Sequence, residues 1–269
     1  MRSSLIFLLL LWLAPIAAHA APTQAGLVFS PPGWPQTLAG DFYRPAGSAR
    51  AVPVVVLIHG GGWRSGKRHH MEAFAESLVA AGYAAFTIDY RLTPEFPFPA
   101  QLDDVRLAVQ WLKAQAPALG IDAQRMGAWG YSAGAHLASL LVLGDRDPAL
   151  RAVVAGGLPG DLVDLQNSPL VKSLMGGAID VIGEARYRAA SPRFVVDAGD
   201  APVFLFHARW DWVVPTRQVD TMKAALDAAR VPNELVWLEG RGHIVGFYFN
   251  EAAVEAALRF LDRWLKSAP

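Results

Sequence analysis

The sequence predicts a single α/β domain in which a mostly parallel central sheet carries helices on both faces and a small cap insertion. Short apolar, β-branched runs alternate with segments of helical periodicity along most of the chain. Several of those runs are too uniformly apolar to face water on either side, which is the pattern of strands inside a parallel sheet. Once an N-terminal leader is set aside, about 250 residues remain, the size of one large domain with a substantial core.

That leader is "MRSSLIFLLLLWLAPIAAHA", residues 1–20. It has a basic start at Arg2, an apolar run, and a small-x-small ending at Ala18, His19 and Ala20, so it is expected to be a signal peptide cleaved after Ala20. The alternative is a membrane anchor, but the run falls short of the roughly 18 to 20 apolar residues that a spanning helix requires. The mature chain, 21–269, is expected to be exported, periplasmic or secreted, with no membrane association after cleavage.

The strands follow in order as "VPVVVLIH" (52–59), "AAFTIDY" (84–90), "RMGAWG" (125–130), "RAVVAGG" (151–157), "PVFLFHA" (202–208) and "ELVWLEG" (234–240). Between them lie "MEAFAESLVAAG" (71–82), "QLDDVRLAVQWLKAQA" (101–116), "AHLASLLVLG" (135–144), "TRQVDTMKAALDAAR" (216–230) and "EAAVEAALRFLDRWLK" (251–266), each with apolar residues at helical spacing. Two segments interrupt the alternation. Residues 92–101, "LTPEFPFPAQ", hold three prolines and predict a rigid loop beside the site. Residues 158–190 are too long for a simple connection and predict the cap.

Composition narrows the function classes. Lys plus Arg and Asp plus Glu are 24 each, with no long run of one sign, so neither nucleic acid nor a strongly ionic partner is indicated. A neutral small molecule is the expected ligand. The absence of Cys excludes disulfides, thiolate metal sites and cysteine nucleophiles. Asp103 and Asp104 invite a metal reading, but adjacent helix positions diverge, so a helix-start cap and pairing with a nearby base are expected; no metal and no cofactor are assigned.

The chemistry centres on "GYSAG", residues 130–134, a G-x-S-x-G that follows a predicted strand and opens a predicted helix. Glycines on either side remove side chains that would collide in so tight a turn, so Ser132 can project its hydroxyl above the sheet. The plainer alternative is a Gly-rich turn with a capping Ser. A serine hydroxyl is a weak nucleophile near neutral pH and requires a base, together with donors for the charge that develops on an attacked carbonyl. "HGGGW", residues 59–63, supplies bare backbone at the end of a strand, so the amides of Gly61, Gly62 and Ala133 are the candidate oxyanion hole. A phosphate-binding loop is the alternative, but no Lys-Ser/Thr or G-x-G-x-x-G frame follows. His59 is expected to be structural.

Among seven histidines, position selects His243 in "EGRGHIVG" as the base, since it lies past the last predicted strand in a glycine-flanked loop. His207 sits inside a strand, His136 in the helix after the turn, and His69 and His70 in a polar stretch. The acid that orients the base is expected to be Asp211 in "HARWDWVVP", giving the order Ser132, Asp211, His243. Asp197 and Asp200 precede their strand and lie at its wrong end. Asp161, after the preceding strand, remains the alternative acid. Trp63, Tyr131 and Trp212 are the candidate substrate contacts.

With these residues in place the chain resembles the α/β-hydrolase fold carboxylesterases, in the branch that includes hormone-sensitive-lipase-like and acetyl- or feruloyl-type esterases. The resemblance rests on "DFYRP" (41–45), "HGGGWRSG" (59–66), "DYRLTPEFPFPAQLDD" (89–104), "GYSAGAHLA" (130–138), "SP" (191–192) and "DWVVP" (211–215), in that order. It implies a serine carboxylesterase that hydrolyses small or aromatic esters through an acyl-enzyme. An amidase or peptidase using the same triad, or a non-catalytic binding protein on this fold, are the alternatives. One departure is that Trp210 and Trp212 bracket the acid where the family usually has smaller or polar residues; they either line a pocket or pack the loop.

Overall fold

The computed structural model describes residues 21–266, so the signal-peptide expectation for residues 1–20 lies outside the described residues. Eight strands form one sheet: β1 (Gln24–Val28), β2 (Ala39–Tyr43), β3 (Val52–Ile58), β4 (Ala84–Ile88), β5 (Ile121–Tyr131), β6 (Leu150–Gly156), β7 (Val203–Ala208) and β8 (Asn233–Leu238). Their spatial order is β1-β2-β4-β3-β5-β6-β7-β8. The pairs from β4 through β8 are parallel, and β1 and β2 join antiparallel at one edge. The helices are α1 (Glu72–Ala80), α2 (Ala100–Leu119), α3 (Ala133–Ser139), α4 (Pro169–Met175), α5 (Ile179–Ile182), α6 (Glu184–Ala189), α7 (Pro192–Val195), α8 (Arg217–Ala228), α9 (His243–Tyr248) and α10 (Glu251–Leu261).

The uniform hydrophobicity of the central strands has a direct cause in the two-residue side-chain period. In β3, Val54, Val56 and Ile58 enter one core while Val55 and Leu57 enter the other. In β7, Val203 and Leu205 are divided from Phe204 and Phe206 in the same way. The first core is closed by α2, α3 and α8 through residues such as Val105, Leu137 and Met222, and the second by α1 and α10 through Leu78 and Phe260. Each such buried side chain contributes about 1.5–3 kcal/mol. Among the described residues no helix is long and apolar enough to cross a membrane.

The antiparallel edge, β1 and β2, is absent from the expected strands. β1 is mostly exposed and so carries no apolar alternation. It is held instead by Asp41 of β2, whose Oδ1 accepts from Gly26 N at 2.7 Å while Oδ2 accepts from Arg68 Nε at 2.8 Å. Asp104 does not cap a helix start as expected, but the expected pairing with a nearby base is present for both carboxylates. Asp104 is fully buried, accepting from Arg91 Nε and Trp34 Nε1, and Asp103 pairs with Arg106 on the same helix.

Residues 158–190 contain three short helices, α4, α5 and α6, rather than an independent unit. Val171, Leu174, Met175 and Tyr187 fasten them to the main core. The proline loop, 92–101, braces this region from behind: Phe98 N donates to Leu174 O at 2.7 Å and Thr93 N to Trp63 O at 2.9 Å. None of its residues lines the pocket beside Ser132, contrary to the expected position.

Candidate active site

Parallel strands bring their carboxyl ends to one edge, so β3, β5, β7 and β8 deliver the segments after residues 58, 131, 208 and 238 to the same place. Ser132 occupies the single residue between β5 and α3 with φ 55° and ψ −120°, a left-handed conformation that costs about 1–3 kcal/mol for a residue bearing a Cβ. The surrounding packing holds it there. A Cβ on Gly134 would lie 1.9 Å from Ile58 O, and one on Gly130 2.2 Å from the Gly134 carbonyl carbon. Only glycine therefore lets β5, α3 and β3 approach so closely, and Ser132 N is tied across to Gly156 O at 2.7 Å. Gly134→Ala is expected to destabilise the protein by about 3 kcal/mol, lowering Tm by roughly 6–12 °C in a thermal melt. An unchanged melt would show that the turn is not locked by this contact.

The oxyanion-hole candidates lie on the two segments that follow β3 and β5, and Gly61 and Gly62 line the same pocket as Ser132. Gly61 and Gly62 have φ of 116° and 60°, and among the described residues neither N–H has an acceptor. Ala133 opens α3, where the first N–H groups lack intrahelical partners and carry the positive end of the helix dipole. His59 is structural, as expected. Its Nδ1 donates to Gly60 O at 2.7 Å, its ring stacks on Tyr90 at 4.2 Å, and burial pushes its pKa down to about 4.

His243 does not sit in a free loop; it is the first residue of α9, entered through the extended Gly242. Its Nδ1 lies 2.6 Å from Asp211 Oδ2, with both side chains buried. Asp211 Oδ1 accepts from Val213 N at 3.0 Å and Val214 N at 2.7 Å, so the carboxylate orientation is set by its own loop. Tyr131 donates its hydroxyl to His243 O at 2.5 Å and anchors the base from beneath. Gly157, at the end of β6, makes room for the ring: a Cβ there would lie 2.9 Å from His243 Cε1. Asp161 is committed elsewhere, with Oδ2 accepting from Arg193 Nη1 at 2.7 Å and Oδ1 from Val163 N and Asp164 N.

Ser132 and His243 open into a cavity of about 350 Å³, lined also by Gly61, Gly62, Tyr131, Leu170, Val213 and Phe247. Two expected substrate contacts lie outside it. Trp63 is 3% exposed and packs edge-on against His136, because the glycine turn swings its ring into the core. Trp212 is 90% exposed and points to solvent, leaving its neighbour Val213 on the pocket wall. Residues that sequence reasoning missed include Ser65, His70 and Val213, Leu170 of α4, and Ile244, Phe247 and Tyr248 of α9. The signal for the last three was present: "IVGFYF" after the base has no charged residue although the helix lies at the surface.

Strand order, a strained serine on the turn after β5, and an Asp–His pair delivered by β7 and β8 define an α/β-hydrolase fold protein. More narrowly, the chain belongs to the BD-FAE family, whose model matches residues 40–226. It is 30% identical over 213 residues to the esterase LipQ of Mycobacterium tuberculosis, covering 72% of this chain and 51% of that protein. It is 39% identical over 108 residues to an ethyl acetate hydrolase of Pseudomonas putida, covering 39% of this chain and 34% of that one. The chain spans about half the length of the curated relatives it matches over most of its own length. Its fold is that of a truncated carbohydrate esterase from gut microbiota, at TM-score 0.80 and 22% identity over 90% of this chain and 96% of that one. A propionate-bound esterase of Thermogutta terrifontis superposes at TM-score 0.76 with 24% identity, over 92% and 97% of the two chains.

Proposed function

We propose that this protein is a serine carboxylesterase acting on small or aromatic carboxylic esters through an acyl-enzyme intermediate. The observation that carries this reading is the buried 2.6 Å contact between His243 and Asp211 beside a pocket that also exposes Ser132. With the Nδ1 proton held by Asp211, His243 presents Nε2 as an acceptor for the Ser132 proton. Ser132 Oγ then adds to the ester carbonyl carbon, and the resulting oxyanion is met by the N–H groups of Gly61, Gly62 and Ala133. Collapse of this intermediate breaks the carbonyl–alkoxy bond, and the alcohol leaves with the proton returned by His243. Water, deprotonated by the same ring, repeats the sequence in reverse and frees the acid.

The pocket walls support an apolar acyl or aryl group of modest size. Leu170, Tyr131, Phe247 and Val213 contribute mainly carbon surface, and the mouth continues onto exposed Ile244 and Tyr248. Export to the periplasm or the medium belongs to the same proposal and is supported by the composition of residues 1–20.

Each buried methylene gains about 0.8 kcal/mol, or roughly fourfold in kcat/KM, until a cavity of this size is filled. The specificity constant across p-nitrophenyl esters should therefore peak at acyl chains of about two to six carbons and fall for longer chains. Matching arylamides should be turned over far more slowly. A steady climb to the palmitate ester, or arylamide rates equal to ester rates, would overturn the small-ester reading.

A further inference from the structure

His207, the next-to-last residue of β7, has no part in the chemistry just described, yet it lies fully buried beside the acid. Its Nε2 is 2.9 Å from Val214 O, and since a carbonyl only accepts, the proton sits on Nε2. The same nitrogen is 3.5 Å from Asp211 Oδ2, the oxygen that His243 holds. Val214 in turn donates its N–H to Asp211 Oδ1 at 2.7 Å. His207, Val214 and Asp211 thus close a ring across residues 207–214, with exposed Trp210 and Trp212 on the outer side of the loop. His207 Nδ1 is buried without a hydrogen-bond partner among the described residues, so a second ring proton would have no acceptor. Burial also pulls the His207 pKa below the ordinary imidazole value, with the charge of His243 adding to it, against the opposing influence of the Val214 carbonyl and then of Asp211 and Asp220.

The geometry points to His207 as a positioning residue for the catalytic acid: its Nε2–H holds the carbonyl of Val214, and the N–H of the same residue, on the other side of its Cα, holds the Asp211 carboxylate that orients His243. The inference rests on the serine-esterase reading above. The uncharged donor turns its positive N–H edge toward Oδ2 without offering the carboxylate a competing cation. The strand supplies rigidity that a loop aspartate lacks on its own.

Two substitutions separate positioning from core filling. His207→Phe keeps an aromatic ring against Trp237, which His207 meets edge-on at 6.0 Å, but deletes the donor. His207→Gln loses the ring but places an amide N–H near the position of Nε2. If the donor is what counts, kcat on a short p-nitrophenyl ester, per site titrated with a fluorophosphonate, should fall about tenfold or more in His207→Phe with KM within about twofold. His207→Gln should then recover to within about threefold of the parent. The reverse order, or a Phe variant retaining half the parent kcat, overturns the proposal, as does loss in Phe that Gln does not repair. Should neither variant fold, 15N NMR of the unaltered protein decides. A neutral Nε2–H tautomer at His207 at pH 7 and above supports the proposal, and an Nδ1–H tautomer or a cationic ring there defeats it. Two controls in the same assay keep the levels apart: a parent protein without ester hydrolysis would remove the esterase reading, and hydrolysis persisting in Ser132→Ala would remove Ser132 as its nucleophile, whatever His207 does.

Discussion

Ser132→Ala should lower kcat by roughly 10⁵- to 10⁶-fold while leaving the melt within about 2 °C of the parent. The two halves of that expectation have different causes. Alanine bears the same Cβ as serine, so the left-handed backbone at φ 55° is no more and no less strained, and the contacts of Gly130 and Gly134 that hold the turn are untouched. What disappears is the single oxygen able to attack, leaving only the binding pocket and the N–H groups of Gly61, Gly62 and Ala133 to act on a water-borne nucleophile. An organophosphate should label the parent once, at Ser132, and the variant not at all, as read by peptide mass spectrometry. A label on another serine, or a variant with appreciable turnover, would mean that the hydroxyl on the elbow is not the nucleophile.

The sequence was most informative where one physical rule acted alone. The central strands were legible because burial on both faces leaves no polar positions, and the turn at 130–134 because close backbone approach admits only glycine at Gly130 and Gly134. His243 and Asp211 followed from the carboxyl-edge rule, which depends on strand direction and not on loop detail. Loop conformation was not legible. Trp63 is a candidate substrate contact in the sequence, but a φ of 59° turns its ring into the core, and no periodicity announces a left-handed tryptophan. Trp212 and Val213 exchange inner and outer positions through the hydrogen bonds that Asp211 makes to its own loop, a local geometry set by tertiary contacts. The β1 edge strand is not legible because exposure erases alternation; the proline loop is legible as a loop, but not its position, because its partner, Leu174, is distant in sequence.

Asp211→Asn should cost roughly 10³- to 10⁴-fold in kcat, and the hydrogen bonds around the carboxylate explain why an isosteric change does so much harm. Oδ1 is already claimed by two donors, Val213 N and Val214 N. An asparagine must therefore keep its carbonyl oxygen at that position, since its amide nitrogen would face two N–H groups there. The amide nitrogen is then left at the place of Oδ2, 2.6 Å from His243 Nδ1. Two donors cannot share that contact, so Nδ1 must give up its proton and accept, and the proton moves to Nε2. A ring protonated on Nε2 cannot take the proton of Ser132, although every heavy atom remains in place. KM should change little, and raising the pH should recover part of the rate as hydroxide or serine alkoxide replaces the missing base. Asp161→Asn is the matched control. Its carboxylate serves Arg193 and the turn at Val163 and Asp164, so that variant should lose some thermal stability and keep kcat within about twofold. Equal losses in the two variants would make the effect structural, and a large loss in Asp161→Asn alone would transfer the orienting role from the loop after β7 to the loop after β6.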